Sequence, residues 1–281
     1  MSTKITVLSE NLSFDPNLEA DFGISLWVET NGHSFLMDTG TSGKCLENAK
    51  KLNIDLATAE AIVFSHGHCD HTNGLIHLAE EGINKIPLYL HRYFFNERYW
   101  NKVDEGGYYY PTMSALSPQY LMQHQIPFKA IYQPMHPLFE NSHIWLMCDV
   151  PRISVFESVC PSDVVRRGGD YVVDDYRDEM SVVIEESDGL IILSGCGHNG
   201  LINICSCAQK RLRKPVKAFI GGTHLMAFPP ERTEHTLKYI KTSGIKTLAV
   251  GHCTGPNAME RFEQELDIFT PIHTGTVVEI K

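Results

Sequence analysis

The sequence predicts an α/β protein. Short apolar runs suited to buried strands alternate with segments of helical spacing, and four of those runs end in histidine, usually beside glycine. Near the N-terminus, Asn31-Gly32 separates two strand-like segments, the signal of a two-residue hairpin.

Taken in order, residues 5–8 form a first strand, and residues 23–29 and 34–37 flank the hairpin turn. Residues 42–52 are helical, with Leu46, Ala49 and Leu52 on one face. The apolar run 61–64 is a buried strand that leads into a histidine cluster, and residues 74–80 resume as helix before a strand at 87–90. Segment 91–124 has a different texture, rich in Tyr, Phe and Trp and broken by Gly106-Gly107. It is either an insertion over a cleft or the core of a helical subregion. Residues 144–147, 152–156 and 180–185 read as an antiparallel meander. Strand 190–193 then leads to His198 and helix 201–211, strand 218–220 to His224 and helix 231–242, and strand 247–250 to His252. Sheets that carry helices place binding groups at strand ends of this kind.

The chain has 281 residues, enough for a sizeable core, and no linker divides it, so a single domain over 1–281 is expected. Lys and Arg number 24 against 34 Asp and Glu, a net charge of −10, which argues against a protein that grips nucleic-acid backbone. No apolar run approaches the ~20 residues of a membrane span, and no secretory pattern opens the sequence, so a cytoplasmic protein is expected. The eight cysteines are then expected as free thiols, and without a CxxC pair they do not suggest a structural zinc site.

Histidine is the outlier, with 14 residues. Ser65-His66-Gly67-His68-Cys69-Asp70-His71 has the form His-x-His-x-Asp-His. Imidazoles with a carboxylate suit zinc, with iron or manganese as alternatives. His66 and His68 can clasp one ion while Asp70 and His71 turn toward a second, and Gly67 lets the backbone fold tightly between the first pair. His198 and His252 are expected to complete the ligand set. His33, His77, His91, His124, His136, His143, His235 and His273 are assigned no functional role.

These motifs resemble the metallo-β-lactamase superfamily. The strand 35–37 followed by Asp38-Thr39-Gly40 resembles its early Asp-x-Gly, in which the aspartate supports a ligating histidine. SHGHCDHTNGL at 65–75, GCGHNG at 195–200, GGTHL at 221–225 and HCTG at 252–255 resemble one branch, that of a dihydropterin–ribofuranosylaminobenzene phosphate synthase. The resemblance implies an αββα sandwich, two mixed sheets flanked by helices with one or two metal ions at an edge. It makes His252 the last ligating histidine. Two departures stand out. The stretch Asp174-Asp175-Tyr176-Arg177-Asp178-Glu179-Met180 lacks the histidine usual there, and Gly195-Cys196 replaces Gly-Asp, so that His198 takes over as a terminal ligand. Cys196 is either a soft ligand or a small buried residue. Glu179 is expected in a surface salt bridge, with ligation or support of a ligand as its alternatives.

The function implied is that of a metal-dependent hydrolase or related transferase, with a metal-bound hydroxide attacking a small, phosphate-bearing heterocyclic substrate. Asp70 and His224 are the expected catalytic groups. His224 is read as a substrate or proton-transfer residue ahead of a ligand or a packing residue. A nucleic-acid-processing nuclease and a metal-binding regulatory protein without turnover are the competing readings. Retention of His68 argues against a redox role of the flavodiiron type. The sequence is silent on oligomeric state.

Overall fold

The computed structural model describes residues 2–102 and 106–281. Two seven-stranded mixed sheets lie face to face. The first runs Val277–Ile280, Thr3–Ser9, Ser25–Thr30, His33–Met37, Ile62–Val63, Leu88–His91, Phe128–Ile131, antiparallel as far as His33–Met37 and parallel beyond it. The second runs Phe269–Pro271, Thr247–Val250, Val216–Gly221, Leu190–Ser194, Ser181–Glu185, Ile144–Met147, Met135–Pro137. It is parallel up to Leu190–Ser194 and antiparallel after it.

Both faces of each sheet are buried, and the period of two along a strand sorts its side chains between layers. Leu26 and Val28 face the central core with Ile191 and Leu193, while Trp27 joins the outer cluster under helices Lys44–Lys51 and Gly74–Glu80. On the other side, Leu190 and Ile192 pack beneath helices Leu201–Leu212, Pro230–Ser243 and Pro256–Glu265. The result is the predicted αββα sandwich. Among the described residues no helix is long and apolar enough to cross a membrane.

The hairpin at Asn31-Gly32 forms as expected, with φ of 53° and 80° at the two turn residues. The expected strand at 152–156 does not form. Ile153 and Ser154 donate their backbone N–H groups to Asn203 Oδ1 at 2.9 and 2.8 Å, tying an irregular segment to the helix Leu201–Leu212 instead of to a neighbouring strand.

A hairpin lies further on, Asp163–Arg167 paired with Asp170–Val173 across Gly168-Gly169, whose φ values are 61° and 98°. It joins two strands of the aromatic segment, Arg98–Asn101 and Tyr109–Pro111, in a separate four-stranded antiparallel sheet. The aromatic segment is therefore mostly strand and loop, with one short helix at Pro118–Gln123. Residues 103–105 of it lie outside the described residues. Its next stretch binds the histidine loop directly: Cys69 N–H donates to Thr112 O at 2.9 Å, and Ser114 N–H to Gly67 O at 2.8 Å.

Candidate metal centre

Parallel strands deliver the chemistry at their C-terminal ends. Ile62–Val63 leads into the His66–His71 loop, Leu190–Ser194 into Cys196 and His198, Val216–Gly221 into His224, and Thr247–Val250 into His252. Gly67 has to be glycine, because a Cβ there would lie 2.3 Å from Phe94 O and 2.9 Å from an Arg98 guanidinium nitrogen. His68 is extended, with φ −83° and ψ 149°. A single helical turn, Cys69–Thr72, then carries Asp70 and His71 to the neighbouring donor set, with the His71 ring 4.2 Å from that of His66.

The donors fall into two sets. His66, His68 and His198 each offer a donor atom, all within 4.8 Å of one another, and so do Asp70, His71, Cys196 and His252. His198 Nε2 lies 3.2 Å from His66 Nε2. In the second set, His71 Nε2 is 3.1 Å from Cys196 Sγ and 3.4 Å from Asp70 Oδ2, and His252 Nε2 is 3.2 Å from the same carboxylate oxygen. All six histidine and aspartate residues expected as ligands are thus brought together. Cys196 joins the second set, where a sequence reading had left packing as an equal alternative.

Supporting groups decide which ring nitrogen is free. His71 donates through Nδ1 to Asp38 Oδ2 at 2.7 Å. Ser65 Oγ donates to the same oxygen at 2.6 Å, so it accepts from His66 Nδ1 at 2.9 Å. His252 Nδ1 donates to Asn11 Oδ1 at 3.0 Å. In all three rings the proton is held away from the cluster, and an Nε2 lone pair is left facing other donors. Lone pairs and carboxylate oxygens gathered in this way repel one another unless a cation lies among them, so the residues fit a metal.

The electrostatics agree. Burial, with the neighbouring histidines adding to it, holds His66 well below the usual imidazole range. It takes His68 down to about 3 and, aided by His224, keeps His198 low as well. These imidazoles stay neutral and ready to bind. Burial opposes ionisation of Asp70, but His71 and His252 outweigh it and hold the carboxyl well below its ordinary value. His71 and His252 are raised against burial by the acidic groups around them, Asp70 among them, so without an ion a proton between their Nε2 atoms and Asp70 takes the place of the cation.

The stretch 174–180, which lacks a histidine, supplies supports. Glu179 is buried, and its two oxygens accept from the backbone N–H groups of His198 and Asn199 at 2.6 and 2.7 Å. The expected surface salt bridge is therefore wrong: the carboxylate is drawn inward by two unpaired amides of the turn that carries His198. Asp178 accepts from Gly67 N–H at 2.7 Å, and Arg98, itself buried, pairs with Asp174 at 2.9 Å and Asp178 at 2.6 Å. Tyr176 stacks on His198 with centroids 3.8 Å apart and donates its hydroxyl to Asp163.

His224 also lies against His198, 4.1 Å between centroids, and its donor atom lies within 4.8 Å of donors of His198 and Asp163, a third grouping that shares His198 with the three-imidazole set. Burial takes it down to about 3. Sequence reasoning missed Arg98, Tyr176 and Asp163, because their partners are 76, 22 and 13 residues away and no local pattern marks them. His91, given no role, forms a separate grouping with Cys148 and Asp149.

Residues 19–141 match the family model of the metallo-beta-lactamase superfamily. The chain is 28% identical over 301 residues to the 7,8-dihydropterin-6-methyl-4-(β-D-ribofuranosyl)-aminobenzene-5′-phosphate synthase of Methanocaldococcus jannaschii, covering 98% of this chain and 96% of that one. A solved metal-dependent hydrolase of the β-lactamase superfamily superposes with a TM-score of 0.84 at 24% identity, over 99% of both chains. Zinc-bound PqqB from Methylobacterium extorquens gives 0.59 at 13% identity, over 99% of this chain and 100% of its own. These two likenesses concern the fold.

Proposed function

We propose that the chain, whose residues 19–141 match the metallo-β-lactamase superfamily model, is a metal-dependent hydrolase or related group-transfer enzyme of that superfamily. Its substrate in this reading is a small molecule with a phosphate and a flat heterocycle. One observation carries the proposal, the juxtaposition of a three-imidazole set with a four-donor set that includes a thiol and a carboxylate. Three protein ligands leave a coordination position open for chemistry, whereas four complete a tetrahedral site. Zinc suits both sets, with iron or manganese as alternatives.

Metal ions held there would lower the pKa of water and polarise an attacked phosphoryl or carbonyl oxygen. The chain's own residues do the rest. Asp38, Ser65 and Asn11 hold protons at the Nδ1 atoms of His71, His66 and His252 and so orient those rings. Asp70 directs Oδ2 at His71 and His252 and stays ionised, which leaves Oδ1 to accept a hydrogen bond from a water or the substrate. His224, neutral at physiological pH, donates an imidazole N–H to the substrate or its leaving group. The aromatic segment, joined to the histidine loop at residues 112–114, supplies in this reading the stacking surface for the heterocycle. The name of the archaeal relative, a phosphate-bearing synthase, keeps group transfer beside hydrolysis. Net charge −10 supports a small-molecule substrate over nucleic acid, and eight free cysteines suit a reducing cytoplasm. We take the whole chain as one domain.

Metal-reconstituted protein should be screened against activated phosphodiesters, esters and lactones, with β-lactams as a comparison. Turnover of at least one of the first three is expected, lost in the His66→Ala/His68→Ala variant, with β-lactams slow or inert. Silence across the panel from fully metal-loaded protein would replace this reading with that of a binding protein.

A further inference from the structure

A buried cation beside the metal centre lacks a full set of partners. Arg232 stands in the first turn of helix Pro230–Ser243 and is only 5% exposed. Its Nη1 donates to Ser158 O at 2.8 Å, while Nε and Nη2 are buried with no hydrogen-bond partner. Those two nitrogens form one edge of the planar guanidinium, the edge that grips two oxygens of a phosphate or carboxylate together. Leaving such donors dry and unpaired is costly.

The surroundings favour an anion from outside the chain. Glu157, whose field reaches Arg232, is committed elsewhere: its oxygens accept from Ile202 and Asn203 N–H at 2.8 Å each. Arg152 contributes a second positive charge to the same region. The helix start adds the positive end of its dipole, and Pro229 at the cap position offers no side-chain acceptor. Burial pulls the guanidinium down to about 10, which leaves it protonated at neutral pH.

A chain of rings connects this edge to the metal centre. The Phe228 ring covers the guanidinium at 3.6 Å, Phe228 lies 6.1 Å from His224, and His224 lies 4.1 Å from His198. We propose that the Nε–Nη2 edge of Arg232 is the subsite for a two-oxygen anionic group of the substrate, a phosphate monoester or a carboxylate, held apart from the reacting atoms. The subsite rests on the proposed function for its reacting centre and adds the means of recognising the substrate's charge. Binding energy gathered at such a remote group can be used to position the reacting end.

The test is calorimetric titration of the metal-loaded protein with inorganic phosphate and, separately, acetate, for wild type, Arg232→Met and Arg232→Lys. Metal content and melting temperature are measured on each sample. Loss of a hydrogen-bonded charge pair corresponds to roughly 10–100-fold weaker binding, expected for Arg232→Met. Arg232→Lys, which keeps the charge and loses the fork, should be several-fold weaker, and it carries the test if the methionine variant fails to fold. Arg232-dependent binding of phosphate alone assigns a phosphate group, and of acetate alone a carboxylate. Anion affinity unchanged in folded variants would overturn the proposal, as would binding lost only in the His66→Ala/His68→Ala protein. If no metal is taken up and anion binding still depends on Arg232, the subsite stands and the metalloenzyme reading falls.

Discussion

His71 and Asp38 are joined at 2.7 Å, Nδ1 to Oδ2, with neither side chain exposed to solvent. The same carboxylate accepts from Ser65 N–H at 2.7 Å and from the Ser65 hydroxyl, which in turn serves His66. One aspartate therefore orients a histidine from each donor set. Asp38→Asn should lower metal affinity about 10–100-fold at both sets, the range found when a supporting carboxylate is lost. Competition with a chromophoric chelator would measure it, and an affinity equal to wild type would contradict this role.

Metal titration should show two unequal affinities. The set of Asp70, His71, Cys196 and His252 brings a carboxylate and a thiolate to the ion and should fill first, with the three-imidazole set weaker. Cobalt at this cysteine-containing set should give a sulfur charge-transfer band that Cys196→Ser abolishes. Filling at one common affinity, or a band surviving in that variant, would refute the assignment.

The metal-free protein should lose stability in acid. Burial takes His68 and His224 down to about 3 in the fold against the ordinary imidazole value of 6.5, with His66 and His198 shifted in the same direction. The unfolded chain then binds more protons, so the stability these four contribute is present above about 6.5 and drains away as pH falls toward about 3. His71 and His252 are raised and act in the opposite sense, offsetting part of the effect. The net slope should approach a few times ~1.4 kcal/mol per pH unit at most. Urea unfolding at pH 7, 5.5 and 4.5 would measure it, and equal free energies at all three would contradict the burial of these rings.

His224→Ala should leave metal content unchanged and lower kcat/KM by about 10²–10⁴, typical of a lost proton-transfer or polarising group. A fall in bound metal would make His224 a ligand. Wild-type activity per folded, metal-loaded molecule would leave it a packing residue.

Arg98→Met should strand Asp174 and Asp178, both buried, and cost about 3–5 kcal/mol of stability. Because Asp178 also holds Gly67 N–H, metal affinity should fall with it. A variant as stable as wild type by chemical denaturation would show the pair to be dispensable.

What the sequence determined by itself is local or periodic. Strands such as 190–193, helices such as 74–80 and the Asn31-Gly32 hairpin follow from alternation, helical spacing and turn chemistry acting over a few residues. The His-x-His-x-Asp-His loop is legible for the same reason, since its ligands lie within six positions. Gly168-Gly169 carried an equally readable hairpin signal, whereas the alternation at 152–156 misled, because Asn203 from another element claims those amides.

Tertiary structure alone decided the partners. The partition into three- and four-donor sets, the inward turn of Glu179, the Arg98–Asp178 brace and the open edge of Arg232 depend on contacts between distant segments. In a buried site, the cost of an unpaired polar group selects which distant donor meets which acceptor, and only the folded chain sets that choice.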